Sequence, residues 1–170
     1  DPRYRSYLQS FLDKTVFLYL NTHDLKRPIL DFGSGPNPAV QWILNERGYP
    51  TTIYDPFFAP DRSALAPDRR YAAIIALEVV EHLHHPEREL KRIARLCADG
   101  GWFFIRTGVF GGDEASFRDW WYQRDFTHVS FWTEETVQWI ARRYNWRLVN
   151  REMGEILILR RDESRRPAPA

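Results

Sequence analysis

Residues 28–38 read Pro28-Ile29-Leu30-Asp31-Phe32-Gly33-Ser34-Gly35-Pro36-Asn37-Pro38, a short apolar run that ends abruptly in turn-forming residues. Ile29 to Phe32 suit a buried strand, because a brief apolar segment bounded by such a cluster leaves neither face to water. Gly33 and Gly35 permit positive φ and let the backbone come close to a ligand. Asn37 stands where a third glycine often would, and asparagine tolerates the left-handed region better than most residues. Pro38 opens a helix, since a proline in the first turn loses no hydrogen bond, and Gly48 supplies its stop. Strand, glycine turn and helix start in this order make a ligand-binding corner at the first strand of an α/β sheet.

Two ligand classes compete for such a corner. A dinucleotide fingerprint needs glycine at position 38, where the chain has Pro38. A pyrophosphate would also meet the carboxylate of Asp31, two residues before Gly33. The same carboxylate suits a ligand that carries positive charge. Eighteen residues after Asn37, Asp55 closes a second strand, Thr51-Thr52-Ile53-Tyr54-Asp55, where it can accept both hydroxyl protons of a ribose.

Outward from this corner, apolar residues at helical spacing predict a helix over 3–20, carrying Tyr7, Leu8, Phe11, Leu12, Val16 and Leu20. Tyr71 to Leu77 is almost wholly apolar, as a central parallel strand should be. Residues 86–97 form a helix, Asp99-Gly100-Gly101 a turn, and Trp102 to Arg106 a strand. A long polar and aromatic connection over 108–132 leads to a helix at 133–143, introduced by Thr133. Trp146–Val149 and Glu155–Leu159 are two closing strands joined at Gly154. Residues 161–170 are polar and proline-bearing, so a disordered tail is expected after one domain at 1–160. Strands alternating with helices argue for a parallel sheet, to which the closing hairpin adds an antiparallel strand.

Composition agrees with a packed globule: 44% of the 170 residues are hydrophobic and 28% charged. The net charge of +1 gives no general attraction to nucleic acid. No apolar run approaches the roughly 20 residues that span a bilayer, and no secretory leader is visible. The single cysteine, Cys97, reads as a small buried apolar residue, which predicts a cytoplasmic protein with no membrane partner. The chain begins at Asp1 rather than at a methionine, as a piece of a longer protein would.

Taken in order, Asp31-x-Gly33-x-Gly35, Asp55, the run Ala76-Leu77-Glu78-Val79-Val80-Glu81-His82-Leu83 and Gly100-Gly101 resemble the successive motifs of class I S-adenosylmethionine-dependent methyltransferases. The resemblance covers most of residues 25–160. It implies a Rossmann-like, doubly wound, mostly parallel sheet of seven strands with the last one antiparallel. It also implies that Asp31, Gly33 and Gly35 hold the methionine part of the cofactor, with Ser34 in the same turn. Asp55 would hold the ribose, Pro56 and Phe57 would lie against adenine, and Leu77 and Glu78 would line the cofactor. Only about fifteen residues separate Asp55 from Tyr71, too few for a helix and a strand, so the third strand is expected to be short or missing. Asp61 and Asp68 are the candidates for an acidic residue near adenine.

Methyl transfer is an in-line displacement at a carbon already activated by positive sulfur, so the protein supplies positioning and a destination for the acceptor's proton. The segment Phe117 to Trp132 follows the fifth strand of the family's sheet, where this fold usually inserts substrate-facing structure. Within it Trp120, Trp121 and Tyr122 are candidates for binding substrate, and His128, Asp125 and Tyr122 for catalysis. His128 would act as general base or orient the acceptor, with Asp125 setting its tautomer. Against this, the tryptophans would form a plain hydrophobic lid and His128 would hold a turn.

Glu78, Glu81 and His82 stand at i, i+3 and i+4, so one helical face would carry two carboxylates and an imidazole, a set able to bind a divalent cation. The pattern is similar to metal-dependent O-methyltransferases, including ubiquinone-pathway enzymes and enzymes acting on the 3′ end of small RNAs, and the latter resemblance makes His128 a fourth ligand. In many relatives without metal the same residues serve as helix-start and packing groups. The sequence therefore predicts an O- or N-methyltransferase with a small-molecule acceptor. Its competitors are a metal-dependent RNA ribose 2′-O-methyltransferase, which the near-neutral charge disfavours, and a non-catalytic S-adenosylmethionine-binding domain.

Overall fold

A computed structural model of the chain describes residues 2–21, 26–152 and 155–163. The apolar run before the glycine turn forms β1 (Ile29–Phe32), buried at every position. β1 lies between β2 (Thr51–Tyr54) and β3 (Tyr71–Leu77), parallel to both. β3 pairs in parallel with β4 (Cys97–Arg106). Two short strands, β5 (Val109–Phe110) and β6 (Trp132–Thr133), form a small parallel sheet of their own. The antiparallel pair β7 (Trp146–Glu152) and β8 (Ile156–Arg161) completes the main sheet, with β8 against β4, in the order β2-β1-β3-β4-β8-β7.

Both faces of this sheet are covered, which is why its central strands can be apolar throughout. Leu30, Phe32, Ile74, Ala76, Phe103 and Ile105 pack on α4 (Pro86–Leu96) and α6 (Glu134–Arg143). Their sequence neighbours Ile29, Ala73, Ile75, Trp102 and Phe104 point the other way, onto α1 (Pro2–Lys14), α2 (Val16–Tyr19) and α3 (Ala39–Glu46). The period of two along each strand thus builds two cores from one sheet. A short helix, α5 (Glu114–Asp119), follows β5. No helix among the described residues is long and apolar enough to cross a membrane.

Several details depart from the expectations. The sheet has six strands, because between β2 and β3 the chain forms turns instead of a strand, one closed by the Asp55–Ala59 pair and a tight one at Arg62–Leu65. The tight turn buries Ala64 and Leu65 and accepts the Tyr71 hydroxyl at 2.8 Å through the Ala64 carbonyl, so the short connection covers the core without a strand. The first helix is interrupted at Thr15, whose hydroxyl donates to the Phe11 carbonyl at 2.7 Å. The turn at Asp99–Gly101 lies inside β4 as a bulge, Tyr71 facing Cys97 and Ala73 facing Trp102. Arg161 belongs to β8 rather than to a tail, its guanidinium donating to the Cys97 carbonyl at 2.9 Å. The turn expected at Gly154 and the tail residues 164–170 lie outside the described residues.

The four parallel strands all end on one edge of the sheet. Gly33, Asp55, Glu78 and Thr107 directly follow them, so the topology gathers at one place what the sequence spreads over 75 residues.

Candidate active site

Asp31 is 3% exposed, and its Oδ2 has no hydrogen-bond partner among the described residues. Burial, together with the nearby Asp55 carboxylate, pushes its carboxyl up from 3.8 to about 7. A buried carboxylate without a donor costs several kcal/mol in a typical interior, so such a group is kept for a partner that arrives from outside. The turn beyond it is pinned to β2, Gly33 N–H donating to the Tyr54 carbonyl at 2.7 Å. Gly33 has φ of 84°, and a Cβ there would lie 2.4 Å from Cγ2 of Val79. No other residue type fits that crossing of loops.

Asp55 closes the opposite side of the turn. Its Oδ2 accepts the Gly35 N–H at 3.0 Å, and its Oδ1 accepts those of Phe57 and Phe58 at 2.8 and 3.0 Å. The three backbone donors hold the carboxylate in place and leave further lone pairs for a ligand. Beside it Phe57 is 84% exposed, with the Phe58 ring 6.5 Å away. An exposed aromatic pair beside the Asp55 carboxylate is a ready apolar platform. Phe58 was absent from the sequence-derived set, although its place beside Phe57 after a strand-ending aspartate marked it. Asp61 is spent as a cap, accepting the Ser63 N–H and hydroxyl at 2.9 and 2.8 Å, and Asp68 is an exposed turn residue.

After the half-buried Leu77, Glu78 adopts φ of 53°, a left-handed conformation uncommon outside glycine and often found at functional sites. Burial and the neighbouring Glu81 push its carboxyl up to about 7. It lies 3.3 Å from Arg106, which also pairs with Glu155 at 3.3 Å and sits over the Tyr7 ring. Tyr7 and Arg106 are thus brought to the same edge, Tyr7 from the first helix. Periodicity alone had counted Tyr7 among core residues.

Glu81 is fully buried and has a different task. One carboxyl oxygen accepts the Tyr122 hydroxyl at 2.7 Å and the other the Thr107 hydroxyl at 3.0 Å. Its backbone carbonyl accepts the N–H groups of Val129 and Ser130, both at 2.9 Å. This one residue ties the end of β3, the end of β4 and the 108–132 segment together. Tyr122→Phe removes one hydroxyl donor from a buried acceptor, so a loss of about 1–3 kcal/mol in urea unfolding is expected. A variant within about 0.5 kcal/mol of the parent, the range of an indifferent surface change, would mean the strut is dispensable.

The two imidazoles of the site are oriented alike. His82 Nδ1 lies 3.0 Å from the Thr127 carbonyl, and His128 Nδ1 lies 2.7 Å from the Tyr122 carbonyl. A carbonyl only accepts, so each Nδ1 carries a proton, and in the neutral ring each Nε2 presents the lone pair. The Tyr122 carbonyl, not Asp125, therefore sets the His128 tautomer. Asp125 holds its own turn by accepting the Thr127 N–H and hydroxyl at 2.9 and 2.7 Å, bonds that keep its carboxyl below the usual range. Its Oδ2 stands 3.8 Å from His128 Nε2. Ligand atoms of Glu81, His82 and His128 lie within 4.8 Å of one another, whereas Glu78 stands outside that group beside Arg106.

Of the candidate substrate residues, Trp120 joins Phe110, Phe117, Phe131 and Tyr122 in a packed ring cluster. Trp121 is 65% exposed and faces outward, its edge against Tyr122. Trp120 and Tyr122 both close on Gly108, where a Cβ would come within 2.9 Å of either ring. The aromatic segment is therefore anchored directly beyond β4, at the strand ends that carry Glu78 and Glu81.

Residues 4–151 match the family model described as a methyltransferase domain. No curated protein matches the chain. Among solved structures it is similar to an O-methyltransferase family protein from Burkholderia thailandensis, with a TM-score of 0.64 at 14% identity over 98% of this chain and 61% of that one. Human N-acetylserotonin methyltransferase in complex with S-adenosylmethionine gives 0.62 at 13% identity over 94% of this chain and 55% of that one. The 1,6-didemethyltoxoflavin-N1-methyltransferase of Burkholderia thailandensis gives 0.59 at 17% identity, over 95% of this chain and 90% of that one. The chain spans between 53% and 61% of the length of four of the structures it matches. The family match runs through every element of the strand-end site up to β7, and the chain belongs to the methyltransferase-domain family, with the fold of the class I S-adenosylmethionine-dependent enzymes.

Proposed function

We propose that this chain transfers a methyl group from S-adenosylmethionine to a hydroxyl or amine of a small-molecule acceptor. The observation that carries the reading is the unpartnered buried oxygen of Asp31 beside the Gly33–Gly35 turn, a place prepared for positive charge. Bound there, S-adenosylmethionine supplies an electrophilic methyl on positively charged sulfur and an ammonium group. Asp31 would hold the cationic methionine end, with Gly33, Ser34 and Gly35 lending backbone, and Asp55 the ribose hydroxyls. Pro56 and Phe57 would cover adenine, while Leu77 and Glu78 line the cofactor at the end of β3.

On the acceptor side, Trp120, Trp121 and Tyr122 would bind the substrate, Trp121 through its exposed ring. His128 Nε2 takes the acceptor's proton, and the Asp125 carboxylate steadies the resulting imidazolium. Small molecules are favoured over RNA by the near-neutral charge of the chain. Two structural neighbours are named for small-molecule substrates, N-acetylserotonin and 1,6-didemethyltoxoflavin. A reducing, cytoplasmic setting goes with this reading, Cys97 being a buried free thiol.

A second reading adds a divalent cation at Glu81, His82 and His128, favoured by their converging ligand atoms and two available Nε2 lone pairs. Glu78 would then take no part as a ligand. One calorimetric experiment addresses both. Titration with S-adenosylmethionine and S-adenosylhomocysteine should give saturable heat, and its absence would sink the main reading. Repeating it with Mn²⁺ and with chelator should change affinity or melting temperature only if the cation reading holds.

A further inference from the structure

A cavity of about 640 Å³ opens at the opposite end of the sheet from the strand-end site. Arg27 and Arg70 stand just before β1 and β3, Cys97 to Asp99 open β4, and Arg161 ends the antiparallel β8. β3 is seven residues long, and at about 3.3 Å per residue the two sites are separated by roughly 20 Å. The cavity belongs to no part of the site already described.

Its lining is strongly cationic. Arg27, Arg70, Lys91, Arg95, Arg143 and Arg161 all contribute, against a single carboxylate among the lining residues, Asp99, which lies 3.4 Å from Arg161. The chain as a whole carries only +1, so this concentration is local. The lining arginines lean on carbonyls: Arg70 on Pro67 and Arg69, Arg95 on Leu65, Arg161 on Cys97. A carbonyl occupies an N–H but does not cancel the charge.

Ordinary structural needs account for part of this set and no more. The C-termini of α4 and α6 attract one cation each, which explains Arg95 and Arg143. Lys91 stands four residues before Arg95 on the same face of α4, a like-charge pair that costs stability. Arg27 and Arg70 precede strands, where no helix end calls for them. A cavity of this size with convergent cations is the form of a small-ligand site rather than of an extended nucleic-acid track. Its one aromatic, Tyr144, is buried and donates its hydroxyl to the Glu87 carbonyl, so there is no open ring on which a base could stack.

We propose that this cavity is a second ligand site that takes a small di- or triphosphate through its phosphate groups. Planar guanidinium groups match phosphate oxygens in pairs, and several of them converging on one pocket suit a ligand with adjacent phosphates. The chemistry is shared by a free polyphosphate and by the tail of a nucleotide.

The test is titration of the whole chain at low salt with tripolyphosphate, with ATP, and with a uridine oligonucleotide as a competing class. Both polyphosphates should bind in a salt-sensitive manner. Equal affinities would assign recognition to the phosphates alone, and a tighter ATP would make a nucleotide the ligand. The variant combining Lys91→Glu with Arg143→Glu should bind tripolyphosphate about tenfold or more weakly, with S-adenosylhomocysteine affinity unchanged and cooperative unfolding retained. Both residues are exposed, so folding is not at stake. No heat from either polyphosphate, undiminished binding by the charge-reversed variant, or binding of the oligonucleotide alone would each overturn the proposal.

Discussion

Asp31→Asn should lose S-adenosylmethionine and, at alkaline pH, gain stability. The two effects have one cause. In the folded chain the Asp31 carboxyl titrates near 7 rather than 3.8, because burial and Asp55 disfavour its charge. Between those values the folded state holds a proton that the unfolded state has released. Stability from this group is therefore fully present below about pH 4 and is lost as pH rises through 7. The difference corresponds to on the order of 4 kcal/mol above pH 7. Asparagine removes the charge but buries an amide whose unmet hydrogen bonds cost about 1–3 kcal/mol. Urea unfolding should then show the variant ahead by about 1–3 kcal/mol at pH 8 and behind the parent near pH 4, a crossing of two curves. Affinity for both S-adenosylmethionine and S-adenosylhomocysteine should fall about 100-fold or more, as expected when a buried ion pair loses one partner. Unchanged affinity would place the cationic end of the cofactor elsewhere.

The strand-end corner was legible because its constraints are local. A glycine needed for positive φ, an aspartate before it and an aspartate closing the next strand are all visible in the chain, and each sits where the fold requires. The missing strand was legible for a similar reason, since fifteen residues set a length limit that no packing can escape. What the sequence hid depends on contacts between distant segments. The contacts of Glu81 are of this kind, its carboxyl oxygens accepting from Thr107 and Tyr122, residues 26 and 41 positions away. Asp125 read as the partner that sets the His128 tautomer, and a backbone carbonyl does that instead. The small sheet of β5 and β6 escaped notice because two-residue strands have no periodicity to detect. The basic cavity was invisible as well, its cations being scattered from Arg27 to Arg161.

His128→Asn should abolish most turnover while leaving cofactor affinity intact. Asparagine can keep the N–H donated to the Tyr122 carbonyl, so the turn survives, but it has no lone pair able to take a proton. Loss of a general base lowers kcat by about 10²–10⁴-fold. Asp125→Asn is the graded companion. Its side-chain oxygen still accepts from Thr127, but the charge 3.8 Å from Nε2 is gone. Asp125 is exposed to solvent, so the attraction is screened and its loss should lower kcat only about fivefold or less. The ordering is what separates the alternatives. A general base predicts a large loss at 128, a small one at 125, and disappearance of the acid limb of the kcat–pH profile in the first variant only. A turn-holding histidine predicts kcat and its pH profile unmoved in both variants, since both keep the hydrogen bonds of the turn. If the chain binds cofactor without chemistry, no acceptor yields a methylated product in the parent either, and the comparison of variants never begins.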